Sequence, residues 1–181
     1  MTIRRILPLA LPLAALLLCS AVGAAAQEPQ TLAISGFAIE HGITVPGTPA
    51  EAYDAITGDI SGWWDHHYAE NPVRLYIEPT VGGCFCEIFD AEGNGARHAT
   101  VTYAERGKAL RFEGPLGLGG NALTMVHTYE FTPVADSTRV TVKVRAFGEI
   151  QDGWPAAVNG VWRHFLVERF KPWYERRRAG S

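Results

Sequence analysis

The chain has 181 residues, with 16 basic and 19 acidic side chains and a formal net charge of −3. A chain of this length suits one domain with one sizeable core. Its mildly acidic balance, without a basic stripe, gives no footing for nucleic acid.

Met1 to Ala26 reads as an export signal. Arg4 and Arg5 form a positive start, Ile6 to Val22 is an almost unbroken apolar run, and Ala24-Ala25-Ala26 is a small-residue cleavage site. Pro8, Pro12 and a run just short of a comfortable span argue against a retained membrane anchor. Leu18 is bulkier than a lipoprotein signal carries before its cysteine, and one arginine pair is too little for a twin-arginine route. Cleavage after Ala26 is expected, giving a periplasmic or secreted chain with no stable membrane span. The segment takes two arginines and no acid with it, so residues 27–181 carry a balance of −5 and form a single domain.

From Gln27, alternation through Leu32, Ile34, Phe37, Ile39, Ile43 and Val45 predicts a first strand, stopped by Pro46-Gly47. Thr48 then caps a short helix through Ile56, with Pro49 at its start and Glu51 as the capping partner. Ile60 to Trp64 reads as a second short helix carrying the Trp63-Trp64 pair, and Asp65 to Pro72 as a polar connection. Strands are predicted at Val73–Glu78, Cys84–Asp90, Arg97–Glu105, Ala109–Glu113, Leu123–Thr132 and Thr138–Phe147, separated by Gly- and Pro-rich turns. In the last two, one face is apolar and the other polar, as in an antiparallel sheet with one solvated side.

Trp154 to Arg178 predicts one long helix. Asp152 is placed to cap it, and Pro155 sits near the first turn. Val158, Val161, Trp162, Phe165, Leu166, Phe170 and Trp173 recur at three- and four-residue steps, one wide apolar face. Pro172 is expected to bend the end. The fold class is therefore α+β: about six to seven antiparallel strands curved around a long C-terminal helix, with two short helices after strand 1. A sheet curved around a helix encloses a space that backbone cannot fill everywhere, so a cavity follows.

Four motifs resemble those of a known superfamily: V-P-G-T-P-A-E-A-Y-D-A-I (45–56), W-W (63–64), E-P-T-V-G-G-C-F-C-E (78–87) and G-W-P-A-A-V-N-G-V-W (153–162). Together with the element order they are similar to the helix-grip fold of the START/SRPBCC superfamily, which includes pollen-allergen-like and polyketide cyclase/dehydrase-like proteins. More narrowly, they resemble the domain named after the activator of the heat-shock-protein-ninety ATPase. The resemblance covers Ala33 to Tyr174. It implies a hydrophobic or amphipathic small-molecule pocket between the sheet and the last helix; members include lipid and hormone carriers and aromatase/cyclase enzymes. Chaperone activation is not carried over, because an exported protein would not meet a cytosolic chaperone.

The expected pocket lining is Trp63, Phe85, Glu87, Tyr103, Phe112, Met125, His127, Trp162 and Phe165. Glu87 shares a strand face with Phe85 and Phe89; if that face is inward, burial would raise its pKa. The opposite face, Cys84, Cys86 and Ile88, is equally apolar. His127 alternates with Met125 and Tyr129, a face that reads inward. A lone inward histidine is more often a core residue than a catalyst. The alternative to a binding protein is a cyclase- or hydrolase-like enzyme using His127 and Glu87, or an interaction module presenting Trp63-Trp64 or the helix face. Cys84 and Cys86 either fill one face of a strand or form a strained or redox-active bridge. His66, His67 and Glu70 make H-H-Y-A-E, which resembles a metal cluster but, in a polar connection after a short helix, reads as a solvated rim, while His98 and His164 have no partner by spacing. No cofactor or metal motif is complete: G-L-G-G-N-A (117–122) matches a dinucleotide fingerprint, yet a strand follows it where a helix is required. Gly114 to Gly120 reads instead as a loop at the pocket mouth.

Overall fold

A computed structural model describes residues 31–180. The segment read as an export signal and the first residues after it lie outside them. Eight strands form one antiparallel sheet: β1 (Ser35–Pro46), β2 (Gly58–Asp59), β3 (Arg74–Ile77), β4 (Cys84–Ile88), β5 (Gly95–Glu105), β6 (Ala109–Glu113), β7 (Leu123–Val134) and β8 (Ser137–Gly148). Their spatial order is β1-β8-β7-β6-β5-β4-β3-β2, so every pair except β1–β8 is a sequence neighbour. The strand beyond the six or seven expected is β2, whose two residues pair with Ile77 and Tyr76. Two residues are too few to carry a period.

α1 (Pro49–Ile56) has the expected start. Thr48 Oγ1 accepts from the Glu51 N–H and Glu51 Oε2 accepts from the Thr48 N–H at 2.7 Å, so two orphan donors are satisfied reciprocally. Ala52, Tyr53 and Ile56 bury its inner face. The second short helix is absent. Ile60 to Trp64 makes a single turn, in which the Trp63 and Trp64 N–H groups share the Ile60 carbonyl. Asp59 Oδ1 holds both the N–H and the hydroxyl of Ser61, at 3.0 and 2.7 Å. Such local side-chain bonds, followed by Gly62, compete with helix propagation.

The C-terminal rod runs from Trp154 to Ala179 but is not α-helical throughout. α2 (Trp154–Arg163) passes into a π-helical segment (His164–Phe170) and then α3 (Lys171–Ala179). The cause is Pro172. In an α-helix its ring would strike the carbonyl of Glu168, four residues back, so the preceding turn widens; the Lys171 N–H reaches five residues back to Leu166. Asp152 does not cap the rod. Gly153 does so, in a left-handed conformation at φ +84° and with no side-chain bond. Trp162, Phe165, Leu166, Phe170 and Tyr174 are buried along it. At the far end Arg178 pairs with Glu51 at 2.8 Å, tying α3 to the start of α1.

β7 and β8 pair over twelve unbroken positions, as do β1 and β8. The other half of the sheet is irregular. Between β4 and β5, Phe85 faces Ala99 and Cys86 faces Arg97, leaving His98 as an extra residue. Between β5 and β6, Val101 faces Phe112 and Tyr103 faces Arg111, leaving Thr102 extra. Each bulge moves the residues beyond it to the other face. Cys84 and Cys86 of β4 are joined as a disulfide, with their Cα atoms 5.3 Å apart.

Candidate functional site

A cavity of about 550 Å³ opens between the helical rod and the irregular half of the sheet. Val158, Val161, Trp162 and Phe165 form its helical wall, Met125 of β7 its floor, and Pro115 to Leu118 one lip. The other lip is the segment Trp64 to Tyr68. The Tyr68 hydroxyl donates to the Leu116 carbonyl at 3.1 Å, joining the two lips. Leu116 adopts φ +49°, an uncommon conformation for a branched residue, within the short turn Leu116–Leu118. The loop read from Gly114 to Gly120 thus stands at the cavity.

Of the nine residues expected to line the pocket, Met125, Trp162 and Phe165 do so. Trp63, Phe85, Phe112, Glu87 and His127 are fully buried in the surrounding core. Trp64, not Trp63, is the member of the pair at the cavity; it stacks on Phe165 at 3.8 Å, with its edge toward Phe85 and Trp162. Trp63 packs edge-on against Phe170. Tyr103 is on the wrong side altogether. The bulge at Thr102 turns it outward, where it is 39% exposed and its hydroxyl donates to Glu105 at 2.6 Å.

Glu87 faces inward with Phe85, which settles the face of β4. Its expected raised pKa is corrected by what surrounds it. Burial pushes the carboxyl up, but the Tyr68 and Ala69 N–H groups and the His98 ring together hold it below the ordinary glutamate value. The N–H groups lie at 2.7–2.9 Å and His98 Nε2 at 2.9 Å. Glu87 therefore acts as an anionic latch under the 64–68 lip. His98, 5% exposed, lines the cavity in front of it and lies between the rings of Tyr68 and Phe85. The spacing offered His98 no partner, because only the one-residue bulge turns it inward.

His127 is in the core, as its alternation implied. Its Nε2 lies 3.3 Å from the Gly114 carbonyl, its ring stacks on Phe112, and Nδ1 is buried with no partner among the described residues. Burial pushes its pKa down to about 3, so the ring is neutral at ordinary pH. At the rim, His67 binds the Ala69 carbonyl. The group that converges there is Asp65, His66 and His164, which sequence spacing did not select. Asp65 meets His164 Nε2 at 2.9 Å and Arg169 Nε at 3.1 Å. Asp65 and Glu168 raise the His164 pKa.

No protein-family model and no curated protein matches the sequence. Solved structures do match. An uncharacterized protein from Rhizobium leguminosarum superposes with a TM-score of 0.61 at 10% identity, over 81% of this chain and 99% of that one. A protein of unknown function from Staphylococcus aureus gives 0.60 at 11% identity, over 82% and 98%. The Aha1 dimer from Colwellia psychrerythraea gives 0.50 at 20% identity, over 77% and 96%. At these identities the likeness is one of fold alone, an antiparallel sheet curved around a long C-terminal helix.

Proposed function

We propose that this protein is exported and binds one hydrophobic or amphipathic small molecule between its sheet and its C-terminal helix. The observation that carries this reading is the cavity itself. At about 550 Å³ it falls within the range of small-molecule sites, and aromatic and aliphatic side chains make most of its wall. Its polar groups, Tyr68, His98 and the rim residues Asp65, His66 and His67, come from the 64–68 lip and β5. That asymmetry suits a ligand with an apolar body and a polar end, and Glu87 behind His98 orients the ring such an end would meet.

The enzyme alternative through His127 and Glu87 has no comparable support. Neither side chain lines the cavity, and the Glu87 oxygens are already engaged by three donors. No helix among the described residues is long and apolar enough to cross a membrane.

Native mass spectrometry of protein purified from its own exported fraction tests the reading. The expected result is a mature chain beginning at Gln27, carrying about one equivalent of an apolar compound released on denaturation. A full-length mass would overturn export. Titration with a fluorescent fatty acid tests the site, since Trp64 and Trp162 line the cavity and their emission should respond. Val158→Trp should fill the cavity and abolish that response; saturable binding unchanged by Val158→Trp would overturn the assignment.

A further inference from the structure

Asp65, His66 and His164 bring one carboxylate and two imidazoles to the rim of the cavity, with their potential ligand atoms all within 4.8 Å of one another. The two histidines reach this point from opposite sides. His66 follows Asp65 in the 64–68 lip, while His164 opens the π-helical segment 99 residues after Asp65. His66 Nδ1 is 3.0 Å from Asp65 Oδ1, and His164 Nε2 is 2.9 Å from Asp65 Oδ2. Both ring nitrogens thus point at one carboxylate. The second nitrogen of His164, Nδ1, lies 3.1 Å from Glu168 Oε2. A carboxylate behind a histidine, fixing its tautomer and ring plane, is the usual outer shell of a metal-binding imidazole. The His66 ring is set edge-on against Phe165 at 4.8 Å, so its direction is also constrained.

We propose that Asp65, His66 and His164 bind one divalent transition-metal ion of the zinc type, with Glu168 as the outer-shell partner of His164. Two imidazoles and a carboxylate select zinc, cobalt or nickel over magnesium and calcium, which take all-oxygen sets. Three protein ligands leave a coordination position for water or an oxygen ligand. Asp65 and His66 also line the cavity, so a carboxylate or other oxygen at the polar end of a bound molecule is the ligand class suited to that position. Ligand atoms in a tetrahedral zinc site stand about 3.4 Å apart. Closing on the ion therefore needs a small side-chain movement, for which His66, its side chain 53% exposed beyond its Phe165 contact, has solvent space. Arg169, 3.1 Å from Asp65 Oδ2, opposes the added charge and sets the affinity below that of a structural zinc site.

The test uses zinc alone, so its outcome is independent of whether the cavity carries an organic ligand. Untagged full chain, stripped with a chelator, is titrated with zinc against a chromophoric competitor, and with cobalt while its visible d–d bands are recorded. One equivalent is expected, with cobalt bands of a nitrogen–oxygen environment. Glu168→Gln should weaken binding by about 10- to 100-fold. His66→Gln and His164→Gln should weaken it further, and His67→Gln, at the same rim, should leave it unchanged. His66 is exposed enough that its variant keeps the fold, which the melting temperature verifies. Absence of zinc binding, or zinc binding unaffected by both His66→Gln and His164→Gln, would overturn the site.

Discussion

The two halves of the sheet solve different problems. The β1–β8–β7 half is regular: twelve-residue strands pair without a shift, and Tyr53 of α1 and Phe131 of β7 meet at 5.4 Å across a closed core. The β4–β5–β6 half has shorter pairings, two bulges, and a lip held by a buried carboxylate in place of a continuous strand. Regular pairing puts side chains into contact layer by layer, and from this half Met125 of β7 is the side chain that reaches the cavity. Bulges redirect single residues, here His98 toward the cavity and Tyr103 outward. One half is closed; the other borders the cavity.

The largest effect should come from damaging the closed half. Phe131→Ala removes a ring that is 5% exposed and contacts both Tyr53 and Tyr129, and should cost about 3–5 kcal/mol in urea unfolding. A cost near that of a surface change would show that this half is not closed. Next, Glu87→Gln keeps the shape of the latch but removes its charge. A loss of about 2 kcal/mol is expected from weakened charge-assisted hydrogen bonds. Hydrogen exchange should rise at the Tyr68 and Ala69 amides while the β7 and β8 amides stay protected, localising the damage to the cavity half. Exchange rising equally in both halves would erase the distinction.

A paired change sharpens the contrast on a smaller scale. Ala135, at φ +51° in the β7–β8 turn, and Leu116, at φ +49° on the cavity lip, share a left-handed backbone. Ala135→Gly should stabilise by up to about 1 kcal/mol, because it relieves strain and loses little contact. Leu116→Gly relieves the same strain but removes part of the cavity wall, so it should weaken binding of the fluorescent fatty acid. The smallest effect is at Glu51, on the surface. Its carboxyl, bonded by the Thr48 N–H and by Arg178, is held down to about 2 from an ordinary 4.5. Its stabilisation is present above pH 4.5 and is lost as the pH falls toward 2. The difference in urea midpoint between wild type and Glu51→Gln should therefore shrink between pH about 6 and about 2; a constant difference would argue against the linkage.

What was legible followed from short-range periodicity. The apolar steps from Val158 to Phe170, the alternation of β7 and β8, and the Thr48–Glu51 capping box each depend on residues two to four positions apart, and each is present. Pro172 announced a disturbance in the last helix, though not that the wider turn would precede it and carry His164 to the rim. The expectation of an inward Tyr103 did not hold. Tyr103 is in phase with the buried Ala99 and Val101, yet the structure turns it outward, and nothing local marks Thr102 as the extra residue.

The amino-acid sequence by itself determined the α+β class, the order of most elements and the apolar face of the terminal helix, because propensity, capping and burial period act within a few residues. Only the tertiary structure decided which side chains meet at the cavity. His98 finds Glu87 through a bulge, and Asp65 finds His164 across 99 residues. Pairing register and long-range closure are set by how the whole sheet packs against the helix, and no local pattern encodes them.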